Sequence, residues 1–371
     1  MIDFVNKQIT NFTELKHWKM ILALFAPVII YFVSFPGLHN VNQFYTPFLE
    51  YVSSPFSKHD FPADSTYSKL TFRLLPILFV KFTNLNILGI IIWQFINGIL
   101  LIYVFAELIF RISKSNQISF YLTLALIFIY TGKVSFLNFK PNFDSLSLIF
   151  YTLYFLTQNK YYKLLILFLV CWIDERAIVA SSLLIIYDIY LLIDFEKNIL
   201  KQILKLSTLI IPFLIYLTLR IYLANSYGLK TSIGGVSFKI LATNLNLLPI
   251  STWQAFEGFW ILIISSIYLT LKKGKLKEKL FILFVIISVL MIVLTSNLVY
   301  DVSRSLVYLY PLLIICFIFF YYNLTYKRLL RLSTYSLFLC ILYPSYVIGG
   351  PKIEWIKPFF LNLVFQFFTN S

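Results

Sequence analysis

The chain has 371 residues, of which 60% are hydrophobic, 19% aromatic and only 13% charged, with a formal net charge of +15. A soluble fold carries roughly twice that charged fraction, so a soluble enzyme or binding module is excluded. Apolar segments recur from about residue 20 onward, and no Gly/Ser linker or low-complexity tail separates them. They predict one integral membrane domain over 1–371, an all-α polytopic bundle.

The positive charge raises the question of nucleic acid, and the placement of the basic residues answers it. With the N-terminus taken as cytoplasmic, segments 1–19, 111–116, 158–163, 194–205, 272–279 and 327–331 hold 18 of the 31 lysines and arginines. The outer segments hold 13 of them, together with nine of the 16 carboxylates. That asymmetry is the positive-inside pattern and argues against a nucleic-acid partner. The expected location is a bacterial inner membrane with the N-terminus in the cytoplasm, and the expected partners include membrane lipids. The oligomeric state is not legible.

In chain order, the first apolar run, 20–35, ends in "VSFPG" without a small-x-small cleavage site, so a retained span is expected rather than a removed signal peptide. An outer loop, 37–85, follows. Its stretch 66–82 is apolar but interrupted by Lys69, Arg73 and Lys81 on nearly one face, which predicts an amphipathic helix on the outer surface. It either anchors the loop or uses Lys69 and Arg73 to bind an anionic head group.

Further spans are predicted near 86–109, 118–131, 143–157, 164–173, 177–195, 206–223, 255–271, 280–298, 305–322 and 332–347. The ten residues of 164–173 rise only about 15 Å, half the hydrocarbon thickness. The simplest solution is a hairpin, 164–173 and 177–195, whose apex is the Asp174, Glu175, Arg176 of "LVCWIDERAIVAS". Charges facing lipid cost several kcal/mol, so the apex must lie in a protein-lined cavity. Two readings stay open: an internal salt bridge fixing the apex, or a site for a polar or phosphorylated ligand.

"LVYDVSRSLVYLYP" adds Asp301 and Arg304 three residues apart, with Tyr300, Tyr308 and Tyr310 around them. They are an interfacial ion pair or part of the same site. Arginine usage bears on the choice. The chain has 24 Lys but seven Arg, and Arg73, Arg176, Arg220 and Arg304 fall toward the outer side, against the positive-inside trend. Arginine's fork of donors suits phosphate or carboxylate. These residues therefore predict one outer cavity lined by Asp174, Glu175, Arg176, Asp301 and Arg304, with Lys140 and Asp144 at its rim.

Other chemistry is not signalled. There is no P-loop, dinucleotide turn, HExxH, CxxC or GxSxG, and Cys171, Cys316 and Cys340 are far apart within apolar runs. With three histidines, a His-based metal site is not expected.

The order of "KPNFDSLSL", "QNKYYK" and "WIDERAIVAS" resembles the GT-C superfamily of membrane glycosyltransferases over roughly residues 18–195. In that family a first span precedes an outer loop with a surface helix, and a basic residue, Pro and Asp lead into a later span. The resemblance implies a fold of about 11 to 13 helices and a lipid-linked sugar phosphate as donor. It also implies inverting transfer on the non-cytoplasmic side, with an outer-loop carboxylate as general base or metal ligand, a divalent metal being the one cofactor to consider. Here "PGLHNVNQFY" offers no acid before Glu50, so Asp60 and Asp64 become the candidate catalytic residues. Arg73, Lys140, Asp144, Asp174, Glu175, Arg176, Asp301 and Arg304 become the candidate substrate-binding set. The alternatives are a transporter or flippase of an anionic lipid-linked substrate, and an oligosaccharide polymerase. No second copy of the short hairpin is evident, which favours the enzyme over a repeat-built transporter.

Overall fold

Polar caps cut the apolar runs into helices. In the computed structural model, which describes residues 2–35, 41–59, 70–137, 140–192, 199–229, 238–349, 352–358 and 361, the chain is mostly helical. Helix α1 (Ile2–Glu14) turns sharply, by 116°, into α2 (Trp18–Val33). Helices α3 (Val41–Ser53) and α4 (Leu74–Thr83) pack on one another. The long α5 (Ile87–Ser113) opens where the Asn86 side chain accepts from the Gly89 amide at 2.8 Å. Ser115 caps α6 (Asn116–Phe128) in the same way.

A 54° bend then separates α6 from α7 (Tyr130–Leu137). Gly132 permits that bend, because a Cβ there would lie 2.0 Å from the Leu126 carbonyl oxygen. Helix α8 (Asp144–Leu156) leads to α9 (Lys160–Cys171), capped by Asn159, and to α10 (Glu175–Leu192). Beyond these come α11 (Ile199–Tyr227), α12 (Phe238–Leu245), α13 (Leu248–Phe256), α14 (Trp260–Lys273) and α15 (Leu276–Asn297). The short α16 (Val302–Leu306), then α17 (Tyr310–Asn323) and α18 (Tyr326–Leu342), complete the helical part.

Among the described residues five helical spans are long and apolar enough to cross a membrane, and up to seven if each bent pair is one span. The 302–323 span is the centre, 83% of its most apolar stretch being buried, whereas 207–227 of α11 is peripheral at 17%. α15 likewise leaves Phe284, Ile287, Met291 and Leu294 exposed, and α11 leaves Ile211, Leu214 and Ile215 exposed. Apolar faces this extensive do not occur on soluble monomers; the chain is an integral membrane protein. Lipid tails supply no hydrophobic drive between helices, so polar contacts and close packing hold them together. Examples are Ser119 Oγ donating to the Ala106 carbonyl at 2.6 Å and the 2.8 Å contact of the Thr152 and Tyr310 hydroxyls.

Helix ends sort into two groups. At one end the Asn116 amide nitrogen donates to the Thr13 carbonyl, Tyr326 donates to Gln117, and Lys163 pairs with Asp188 at 2.7 Å. At the other, Gln94 Nε2 donates to the Lys140 and Asn142 carbonyls, fixing the approach to α8 beside the α9–α10 turn.

Three expectations are corrected. Of the amphipathic helix expected over 66–82, residues 66–69 lie outside the described residues and 70–73 are not α-helical, so that α4 starts at Leu74, burying Leu74, Pro76, Ile77 and Val80. Arg73 stands before that helix rather than on one face with Lys81; Lys69 lies outside the described residues. The last span, expected to reach residue 347, stops at Leu342, and an antiparallel hairpin of β1 (Tyr346–Gly349) and β2 (Lys352–Trp355) follows. Finally, the spans expected at 143–157 and 332–347 coincide with α8 and α18, which at 13 and 17 residues are too short to count as spans by length, while α9 is as short as expected. The twelve residues of α9 rise only about 18 Å.

Candidate functional site: an arginine-lined cavity

Two aspartates start the site by starting helices. Asp174, in the turn between α9 and α10, accepts the backbone N–H of Arg176 at 2.9 Å, and Asp301 accepts that of Arg304 at 3.4 Å, opening α16. Each acid caps its helix and, by the same geometry, presents the arginine that follows it.

The arginines converge on two buried carboxylates. Asp174 Oδ1 takes Arg176 Nε at 2.9 Å, while its Oδ2 takes Arg176 Nη2 at 2.8 Å and Arg73 Nη2 at 3.0 Å. Asp144, at the first turn of α8 and 1% exposed, accepts from Arg304 Nε, from Arg304 Nη2 at 3.2 Å and from Tyr308 at 2.7 Å. Arg176 Nη2 lies 3.5 Å from Asp144, and Arg304 Nη2 lies 3.5 Å from Asp174, so the two pairs form one lattice. Arg176 also donates to Ser305 Oγ at 3.1 Å and stacks over the Tyr308 ring at 5.1 Å. At its edge Arg220 pairs with Glu175 at 3.1 Å and lies 4.2 Å over the Phe72 ring. Burial alone would raise the carboxyl of Asp174, but Arg176 and then Arg73 outweigh it and hold the group well below the usual carboxylate range.

A cavity of about 420 Å³ opens above this lattice, a size suited to a small ligand. Arg73, Arg176 and Arg304 form its basic floor with Asp174, Glu175 and Asp301, and Lys140 joins them at the edge, its Nζ 4.6 Å above the Phe44 ring. Phe44, Leu70, Val179, Ile292 and Val299 supply apolar wall. Five cations (Arg73, Lys140, Arg176, Arg220, Arg304) face four carboxylates (Asp144, Asp174, Glu175, Asp301). Donors remain unspent: Arg73 Nε is buried without a hydrogen-bond partner among the described residues, and Arg304 Nη1 reaches Asp301 only at 3.9 Å.

The structure thus brings together Arg73, Asp144, Asp174, Arg176 and Arg304, with Lys140, Glu175 and Asp301 around them. Asp144 is not at the rim, as its place in the sequence suggests, but buried beneath the floor, where the N-terminus of α8 and three donors suit a carboxylate. Asp60 and Asp64 lie outside the described residues. Among the described residues no group of three or more His, Cys, Asp or Glu is placed to hold a metal ion. Asp144 and Asp174 both face guanidinium groups, a setting that repels a divalent cation.

Lys133 and Glu257 escaped sequence reading. Both are buried, at 2% and 1% exposed; Lys133 donates to Ser34 Oγ at 3.2 Å and to Ser345 Oγ, tying α2 and α7 to the segment before β1. The legible signal was a lone ionisable residue inside each apolar run, which is costly unless satisfied.

Comparison of the chain with protein-family models, with curated proteins and with solved structures finds no match. Fold and site define its class: a helical integral membrane protein with a basic, partly apolar cavity at one end of the bundle.

Proposed function

We propose that this chain is a membrane glycosyltransferase of the GT-C type, holding the phosphate of a polyprenyl-linked sugar in the arginine cavity and passing the sugar to an envelope glycan, lipid or protein. The observation that carries this reading is the convergence of Arg73, Arg176 and Arg304, 103 to 231 positions apart along the chain, on one cavity with apolar walls. Arginine forks suit phosphate oxygens, and an isoprenoid tail requires apolar surface leading out of the site. In this reading the N-terminus is cytoplasmic, which the basic loops favour, and the cavity faces the non-cytoplasmic side of a bacterial inner membrane.

Transfer forms a bond from the acceptor oxygen to the anomeric carbon as the bond from that carbon to the phosphate oxygen breaks. The leaving phosphate keeps the electron pair, and the guanidinium groups of Arg73 and Arg304 stabilise its added charge. The acceptor's proton goes to a carboxylate. Asp301 suits that role among the described residues, since its side chain is 43% exposed and lines the cavity. Asp60 and Asp64 are the outer-loop alternatives.

The test is a vesicle reconstitution with a polyprenyl-phosphate hexose labelled in the sugar and a membrane extract as acceptor. Label should leave the lipid fraction and enter acceptor with the native protein. Movement of intact donor between leaflets without any transfer would replace this reading by the flippase one.

A further inference from the structure

The groove at the opposite end of the bundle, between α14, α17 and α18, has a cavity of about 380 Å³ bordered by Arg328 and Arg331. We infer that it is a binding site for an anionic phospholipid, the phosphate held by Arg328 and Arg331 and an acyl chain lying along α18. This does not rest on the reading of the arginine cavity.

The arginines of this chain divide by pairing. Arg73, Arg111, Arg176, Arg220 and Arg304 each have a carboxylate partner. Arg328 and Arg331 are the two that form no ion pair among the described residues, and both border the same groove. Lys272 adds a third cation nearby, donating to the hydroxyl of Tyr268, another groove residue, at 3.1 Å. Basic pockets between membrane helices attract anionic head groups, and two guanidinium forks one turn apart match the oxygens of one phosphate.

The shape of the groove fits the same ligand. Positions 328, 331, 335, 338 and 342 lie on one face of α18. That face is basic at Arg328 and Arg331, then apolar and exposed at Tyr335 (59%), Phe338 (59%) and Leu342 (61%). It runs about 21 Å, comparable to one leaflet with its head-group region. A head that is anionic and a tail that is apolar, in this order and at this length, describes a phospholipid. An acidic peptide would leave the apolar half uncovered.

The experiment equilibrates purified full-length protein with mixed vesicles of phosphatidylcholine and phosphatidylglycerol, and reads retained lipid by native mass spectrometry. Native protein should prefer phosphatidylglycerol, and the R328Q/R331Q double variant should lose that preference by about tenfold, equivalent to about 1.4 kcal/mol. K327Q, which removes an exposed charge from the same turn outside the groove, should retain it. Phosphatidylglycerol should also raise the thermal midpoint of native protein and not that of R328Q/R331Q. Equal loss in K327Q, an unchanged preference in R328Q/R331Q, or a dimer that covers this groove in place of lipid would each overturn the assignment.

Discussion

Arg304 and Asp144 are 160 positions apart in sequence, yet Arg304 clasps the Asp144 carboxylate through two nitrogens, the Nη2–Oδ1 contact being 3.2 Å. This pair joins the central span to α8 and places Arg304 in the floor of the cavity beside Arg73 and Arg176.

Breaking either side of that pair leaves a buried charge without its partner. Arg304→Ala and Asp144→Ala should each destabilise the protein by about 3–5 kcal/mol. The double variant should cost clearly less than their sum, because both charges are gone. Thermal unfolding of the four proteins in one detergent measures the coupling; strict additivity would show that the contact is not energetically linked.

The depressed carboxyl of Asp174 fixes a pH dependence. A lowered folded-state pKa contributes stability that is present above the unfolded value, about 3.9, and is lost only as pH falls through the lower folded value. Asp174 should therefore contribute no slope to stability between about pH 5 and 8. The thermal midpoints of native protein and Asp174→Asn should differ by a constant offset across that window. A gap that closes on acidification within it would mean the carboxyl is not held ionised by Arg176 and Arg73.

The proton acceptor is distinguishable by kinetics. Replacing the general base costs about 10² to 10⁴ in rate while ground-state donor binding stays intact. Among Asp60→Asn, Asp64→Asn and Asp301→Asn, the residue that acts as base should show this split in the vesicle transfer assay. Full activity in all three variants would remove every candidate base named for the reaction.

Topology follows from the basic loops. Single cysteines near 115, 160, 275 and 329, introduced into a Cys-free background, should label from the cytoplasmic side, and those near 60, 138, 230 and 301 from outside. Labelling of position 275 from outside alone would invert the arrangement and move the arginine cavity to the cytoplasm.

Much of this was legible because charge inside apolar sequence is expensive and therefore informative. Asp174, Glu175 and Arg176 announced a hairpin apex, and of the four arginines out of place by the positive-inside trend three share Asp144 and Asp174 while Arg220 pairs with the neighbouring Glu175. What was not legible depends on distance along the chain. Nothing local tells that Asp144 turns inward to meet Arg304 and Tyr308, so a rim position looked natural. The start of α4 was misplaced because periodic Lys69, Arg73 and Lys81 mimic a helical face, whereas Arg73 is drawn to Asp174 before the helix begins. The β1–β2 hairpin hid behind an apolar run, although "YVIGGPKIEW" carries aromatic and β-branched residues on both sides of the Gly-Gly-Pro sequence.

In the proposed function the arginine cavity holds a lipid-linked sugar phosphate. Its most direct measurement is native mass spectrometry of the purified protein with a polyprenyl-phosphate hexose, comparing native chain, Arg73→Lys, Arg176→Ala and R328Q/R331Q. Arg73→Lys keeps the charge beside Asp174 but removes the unspent Nε donor, so it separates binding from folding. One retained donor is expected on native protein and on R328Q/R331Q, and retention lowered about tenfold or more in Arg73→Lys and Arg176→Ala, about 1.4 kcal/mol or above. Equal retention by all four proteins would contradict it.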